Sequence, residues 1–435
     1  MVGPPRTIVT SGFPMPTLSI QFIAAALFAL ALVHTFAAKQ FERLSHRYPR
    51  HAGLFHLLGE VEVVFGFWAI VLVLVMALVL GGDQALQYAE SRQYTEPLFV
   101  FVVMVVAASR PILQMVIDIV DWSARHAPVR APLARAWLGL AVVPLLGSAI
   151  TEPAAMTIAA LLLAPQVFRS DIPERAKYLA LGVLFVNVSI GGTLTAFAAP
   201  PVLMVAATWN WDSAFMLANF GWKAAIAVLI NATVVVVALR AHLTDIPATL
   251  QPDPQPIARV PHTLVLVHVV FLAGVVALAH HPVAFLGLFL MFLGVMQAYA
   301  RHQSPPILKE ALLVGFFLAG LVVLGGMQQW WLQPIVSSLP PKTLFLAATA
   351  LTALTDNAAL TYLGSLIEGI SDAAKYSLVA GAVAGGGLSV IANAPNPAGV
   401  ALLRHGFADA SIGAAELLVG ALLPTLVAIA AFSLL

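Results

Sequence analysis

Twelve apolar runs divide this chain, at about 17–38, 53–80, 97–120, 134–168, 178–208, 213–239, 262–281, 283–300, 307–327, 341–370, 374–403 and 411–433. Roughly 17–25 apolar residues suffice to span a bilayer as a helix. The chain is 60% hydrophobic and 9% charged, whereas a soluble domain carries about 25% charged residues. The expectation is an all-α polytopic membrane protein. The net charge of +1 and the absence of a basic block with interleaved aromatics argue against a nucleic-acid partner. With no cysteine among its 435 residues, the chain has no disulfide framework, thiol nucleophile or Cys-ligated metal. The tail 1–16 has only Arg6 as a charge. The run after it exceeds a signal-peptide core of roughly 7–15 residues, so it reads as a retained first span.

Two runs are too long to be single spans. Residues 134–168 would make a helix of roughly 52 Å at 1.5 Å per residue, against a hydrocarbon core of about 30 Å. That run is interrupted at Gly147-Ser148 and Glu152-Pro153. Residues 341–370 are interrupted in the same way at Thr355-Asp356-Asn357. A helical hairpin, re-entrant or of two short spans, is the simplest solution for each. Basic residues concentrate on the cytoplasmic side of membrane proteins. With both hairpins entering and leaving on one side, 15 of the 21 Lys and Arg fall in inside loops, at 39–50, 125–135, 169–177, 240–259, 301–309 and 404. The layout has about ten transmembrane helices plus two hairpins entering from opposite faces, with both termini outside.

The hairpin tips are copies of one another. Thr151-Glu152-Pro153-Ala154-Ala155-Met156-Thr157 matches Thr355-Asp356-Asn357-Ala358-Ala359-Leu360-Thr361 at four of seven positions, with Glu/Asp and Met/Leu exchanges at two more. Further landmarks follow in the same order. Ala176-Lys177-Tyr178 recurs as Ala374-Lys375-Tyr376, Gly191-Gly192 as Gly386-Gly387, and Ala199-Pro200 as Ala394-Pro395. Related segments of opposite orientation make an inverted-topology repeat, the mark of a secondary transporter. The expected divisions are an N-terminal tail (1–16), a first membrane half (17–239), a cytoplasmic linker (240–260) and a second half (261–435). The linker carries Pro247, Pro252, Pro254 and Pro256.

Each half has a second irregular element after its hairpin. One broken helix is expected at 178–208, bearing Ser189, Thr193 and Thr195 before Ala199-Pro200-Pro201. The other is expected at 374–403, bearing Ser389, Asn393 and Asn396 among glycines and prolines. Unwound backbone inside a membrane is tolerated where it is buried in protein or lines a cavity. Its carbonyls, with Ser, Thr and Asn oxygens, suit a hard cation such as Na⁺. The competing reading is a structural kink with small residues for close packing.

Glu152 and Asp356 are the leading candidates for ion-coupled chemistry, because an ionisable group inside a membrane is expensive. A buried carboxylate holds a proton or a cation, and that competition alone produces exchange. A cap on the following helix is the competing role, and it is compatible with ion binding. Arg110 and Lys223 lie within expected spans and are candidate charge partners, or else snorkelling and structural ion pairs. Glu60 and Glu62, after His51 and His56, suggest either a solvated mouth or a metal site. Their spacing puts the two carboxylates on different helix faces. Trp209, Trp211, Trp330 and Trp331 fall at expected outer boundaries, as an aromatic belt does.

The tips, with GGTLTAFAAPP (191–201), TDNAALT (355–361), NAPNPAG (393–399) and GEVEVVFGFWA (59–69), resemble the ion-transporter superfamily. That group includes sodium/proton antiporters, arsenite efflux permeases and dicarboxylate symporters. The chain looks most similar to the putative Na⁺/H⁺ antiporter family. The resemblance implies a scaffold part and a transport part, a homodimer, a bacterial inner-membrane location and ion binding at the tips and breaks. The implied ion-binding residues are Thr151, Glu152, Thr355, Asp356 and Asn357 at the tips. On the broken helices they are Ser189, Thr193, Thr195, Ser389, Asn393 and Asn396. Pro153 departs from the amide usual in the superfamily at that position. Two acidic tips would repel a dicarboxylate, which favours a cation substrate. The expected function is Na⁺/H⁺ antiport by alternating access, with Na⁺ held at Asp356 and Glu152 and no cofactor. The rival on the same fold is an anion transporter for organic acids or arsenite. A remote one is an intramembrane metal-dependent hydrolase using His51, His56 and Glu60.

Overall fold

The computed structural model describes residues 18–244 and 259–435, and all regular structure among them is helical. The tail expected at 1–16 and most of the linker expected at 240–260 lie outside the described residues. The first half contains α1 (Leu18–Thr35), α2 (Ala38–Arg47), α3 (Ala52–Gly59), α4 (Val61–Leu80), α5 (Gly82–Glu90), α6 (Thr95–Ala107) and α7 (Arg110–His126). It continues through α8 (Ala131–Leu140), α9 (Val142–Ile150), α10 (Glu152–Leu163), α11 (Glu174–Gly191), α12 (Pro200–Trp209), α13 (Ser213–Met216) and α14 (Trp222–Leu239). The second half contains α15 (His262–Ala277), α16 (Pro282–Ala298), α17 (Leu308–Gly325), α18 (Gln329–Ser337) and α19 (Pro341–Thr352). It ends with α20 (Asn357–Ser365), α21 (Asp372–Gly385), α22 (Asn396–Leu403) and α23 (Ala414–Leu434).

By length and composition five helices can cross a membrane, or seven if each of two bent pairs is one span. Shorter apolar helices such as α15 and α16, of 16 and 17 residues, reach about 24–26 Å at 1.5 Å per residue. In α11 the apolar window is 83% buried, against 39% in α4 and 44% in α23. The helix carrying the first break is therefore central, and the other two expose one face.

Three expected runs are broken, each at a polar residue or a proline. The run 53–80 is interrupted at Glu60, which is extended (φ −74°, ψ 120°) between α3 and α4. The run 97–120 is two helices, α6 and α7, bent by 60°. Pro111 lies in the first turn of α7, where a missing N–H is no loss. Arg110, expected in mid-span, instead opens that helix. The first hairpin arm is also bent, by 41° between α8 and α9. Pro144 removes the N–H that would bond the Leu140 carbonyl one turn back. The Asn187 side chain of α11 donates to that carbonyl instead, at 2.8 Å.

The chain turns at both expected tips. After Thr151, α10 folds back along α9. A Cβ on Gly147 would sit 3.2 Å from the Ala155 Cβ. In the second half α19 and α20 meet at a turn covering 353–356. Both broken helices form as well. α11 ends at Gly191 and the chain is extended at Thr195 (φ −129°, ψ 161°) before α12. α21 ends at Gly385 and the chain is extended at Ser389 (φ −148°, ψ 169°) before α22. Helix ends and extended residues thus match at an offset of 194. Gly191-Gly192 corresponds to Gly385-Gly386, one residue from the pairing read in the sequence. The Ala-Lys-Tyr landmarks have a shared role, because Lys177 pairs with Glu174 at 2.6 Å and Lys375 with Asp372 at 2.8 Å. Lys177, expected in a loop, is only 1% exposed and also donates to the Gly406 carbonyl.

Small residues set the helix crossings. α17 lies on α4 so closely that a Cβ on Gly320 would strike the Gly66 backbone. Lipid gives apolar helices no hydrophobic reason to associate, so such close backbone contact carries the packing. Gly320→Val is expected to cost at least about 1–3 kcal/mol by overpacking. A lower thermal midpoint of the detergent-solubilised protein would show it, and an unchanged midpoint would contradict this crossing.

Candidate functional site

The break between α9 and α10 is one residue, Thr151, held at φ 80° and ψ 150°. A β-branched residue in that region is strained. Glu152 follows as the first residue of α10 and Pro153 as the second, where a proline starts a helix well. The carboxylate therefore sits at the positive end of a helix dipole. It is fully buried. Its Oε2 accepts a hydrogen bond from Asn393 Nδ2 at 2.9 Å. Its Oε1 faces Gly192, where an added Cβ would lie 2.6 Å away. Glycine at 192 is what leaves room for this carboxylate.

Asp356 caps α20. Its Oδ1 accepts from the Ala358 and Ala359 amides at 2.7 and 3.3 Å, the capping role weighed from sequence. Asn357, fully buried, donates from Nδ2 to Ser189 Oγ at 3.4 Å, and Ser189 donates in turn to the Val383 carbonyl at 2.8 Å. The tips are thus alike in sequence but not in local geometry. Glu152 lies inside its helix and reaches across, whereas Asp356 precedes its helix and bonds backward.

The halves clasp each other. α10 packs on α22 and α20 on α12, so each returning hairpin arm lies against the other half's broken helix. Glu152 meets Asn393 by this arrangement, and Asn357 meets Ser189.

Eleven buried side-chain polar atoms among the described residues have no hydrogen-bond partner in the protein, and six belong to this region. They are Thr151 Oγ1, Glu152 Oε1, Asn357 Oδ1, Ser389 Oγ, Asn393 Oδ1 and Asn396 Oδ1. The amide orientations follow from their partners. Asn393 Nδ2 is spent on a carboxylate, and Asn396 Nδ2 donates to the Gly386 and Ser389 carbonyls at 2.8 and 2.9 Å. In each case the oxygen is left over. Buried polar atoms are normally paired, so a concentration of unpaired oxygens suits a hard cation.

Other expected ligands are engaged elsewhere. Thr193 Oγ1 donates to the Ile190 carbonyl at 2.7 Å, and Thr195 Oγ1 to the Ser148 carbonyl at 2.6 Å. Ser148 Oγ donates to the Gly191 carbonyl and accepts from the Leu194 amide, latching the first break to its hairpin. Thr355 lines an apolar cavity with Phe28, Leu351 and Leu360. Lys223 donates to the Tyr376 hydroxyl at 2.9 Å, so it is not the charge partner of a tip. Arg110 is half-buried at the start of α7. His51 and His56 are exposed, Glu60 lies 4.0 Å from Lys309, and no group of three metal-ligating side chains occurs among the described residues.

One residue belongs here that the sequence assigns to a solvated mouth or a metal site. Glu62 lines a cavity of about 20 Å³ with Asp356 and Asn393. The signal was present, since an acid one turn inside an apolar span carries the same cost as the tip acids.

The family model for Putative Na+/H+ antiporter matches residues 19–435, nearly the whole chain. The chain belongs to this family. Membership makes it a membrane transporter and not an enzyme. The chain is also similar to the crystal structure of the Alcanivorax borkumensis YdaH transporter, at 14% identity and a TM-score of 0.42, over 86% of this chain and 96% of that one. No curated protein matches it.

Two outcomes follow from the unequal bonding. Thr151→Val keeps the shape and removes a hydroxyl that bonds nothing, so the thermal midpoint in Na⁺-free buffer should hold or rise; a fall of several degrees would mean that the hydroxyl supports the fold. Asn393→Ala strips Glu152 of its donor, and the loss is expected to be about 1–3 kcal/mol, read as a clear drop in the same melt.

Proposed function

We propose that this protein exchanges Na⁺ for protons, with Asp356 and Glu152 holding one or the other in turn. The observation that carries the reading is the set of unpaired buried oxygens around two acidic tips, contributed by both halves. An isolated charge in a dry interior is costly. Each carboxylate is therefore neutralised by a proton or by a cation, and a cation also satisfies the neighbouring hydroxyl and amide oxygens. Among the described residues no Lys or Arg lines the cavity beside Asp356, which disfavours the anion-transport reading.

Alternating access arises when the hairpins and broken helices move together against α4 and α17. The hairpins are re-entrant and enter from opposite faces, as the duplicated tips suggest. The protein sits in the bacterial inner membrane as a homodimer, with the basic segment 39–50, most of it on α2, inside. These features rest on the family resemblance and the loop charges.

The test is a fluorescent pH-gradient assay in everted vesicles. Na⁺ or Li⁺ should collapse the gradient. Asp356→Asn should abolish the response and Glu152→Gln should lower it at least about tenfold, equivalent to about 1.4 kcal/mol of barrier. Full exchange in both variants would sink the mechanism. Uptake of a labelled anion, indifferent to both substitutions, would reassign the substrate.

A further inference from the structure

The cavity beside Asp356 joins two parts of the molecule that share no hairpin. Asp356 comes from the second tip and Asn393 from the second break, while Glu62 comes from the first turn of α4. Its volume of about 20 Å³ has room for one water-sized particle, which needs roughly 10–15 Å³. Three features suit it to a bare monovalent cation. Asn393 is 1% exposed and its Oδ1 makes no hydrogen bond. Glu62 forms no ion pair with any described residue. Its neighbour Glu60, the extended residue before α4, lies 4.0 Å from Lys309 instead, so the two carboxylates face different partners. The remaining lining is apolar, chiefly Val314, Phe317 and Ile391, which lowers the local dielectric and strengthens the attraction between a cation and the acids.

We propose that Glu62 is a cation ligand supplied by the scaffold, and that with Asp356 and Asn393 it forms a binding position for a dehydrated Na⁺. The proposal rests on the antiport reading and adds a side to it. α4 is fixed to α17 through the Gly66–Gly320 crossing, whereas Asp356 lies on a hairpin. A ligand set divided between the two is complete in one arrangement only. When the hairpin moves, Asp356 keeps its cation and Glu62 stays behind. Glu62 therefore sets affinity from one face of the membrane. That face is the one bearing the basic segment 39–50, most of it on α2, which leads through α3 into the start of α4.

Full-length protein in right-side-out and everted vesicles separates the possibilities, with the Na⁺ dependence of exchange measured from each face. Glu62→Gln is expected to raise the apparent KM at least about tenfold from the face that bears α2, roughly 1.4 kcal/mol of binding. From the other face the change should be less than twofold. Glu62→Asp, which keeps the charge on a shorter side chain, should fall between wild type and Glu62→Gln. An unchanged KM on both faces, or an equal rise on both, would overturn the proposal, as would Glu62→Asp behaving like Glu62→Gln. Asp356→Asn in the same vesicles guards the underlying reading. If it still exchanges, antiport at the tips fails, whatever Glu62 does.

Discussion

A single hydrogen bond, from Asn393 to the buried carboxylate of Glu152, organises the centre of this molecule. The carboxylate is 0% exposed and so shut off from bulk solvent. It needs a donor from the protein, and the donor comes from the opposite half of the chain. To deliver that amide, the chain after α21 must unwind to an extended Asn393 (φ −149°, ψ 138°). To make space for the acid, residue 192 must lack a side chain. Packing of α10 against α22 then follows, and with it the symmetric packing of α20 against α12. Breaking the bond would leave an acid without a donor at the junction of four elements.

The repeat is symmetric in path and unequal in bonding. In the first half Ser148 holds the broken helix through Gly191, Leu194 and Thr195. In the second half Thr352, at the matching place on the hairpin, donates back to Ala348 of its own helix. The hydroxyl of Ser389, the counterpart of that of Thr195, has no hydrogen-bond partner in the protein. The first break is tied down, and the second keeps its oxygens free. Three of the six unpaired oxygens therefore lie on the second break and two on the first tip packed against it, while the acid of α4 lies beside Asp356.

Polar residues inside this protein fall into two kinds by their bonding. Asn187 donates to the Leu140 and Val228 carbonyls and accepts from Asn231, which also donates to the Pro424 carbonyl. Both ends of the Asn187 amide are used, and part of its task is to repair the gap left by Pro144. Such a residue holds helices together. Asn357, Asn393 and Asn396 each spend the amino end and keep an oxygen. Such residues are available to something that is not part of the chain. Composition alone does not separate the two kinds, because both are asparagines in apolar helices.

The sequence by itself determined the solvent, the helical class, both tips and both breaks. Bilayer thickness limits helix length, acids in apolar runs are costly, and glycines with prolines unwind a helix wherever they fall. These are local or one-dimensional constraints, so they are legible in order along the chain. Only the tertiary structure decided the partners. It brought Glu152 to Asn393, 241 positions away, moved Lys223 to Tyr376, and turned Thr193 and Thr195 inward to their own framework. It also brought Glu62 from a supposed mouth to the side of Asp356. Pairing between halves depends on how helices cross, and crossings are set by contacts such as Gly66 with Gly320, whose two members carry no mark in the sequence that they belong together.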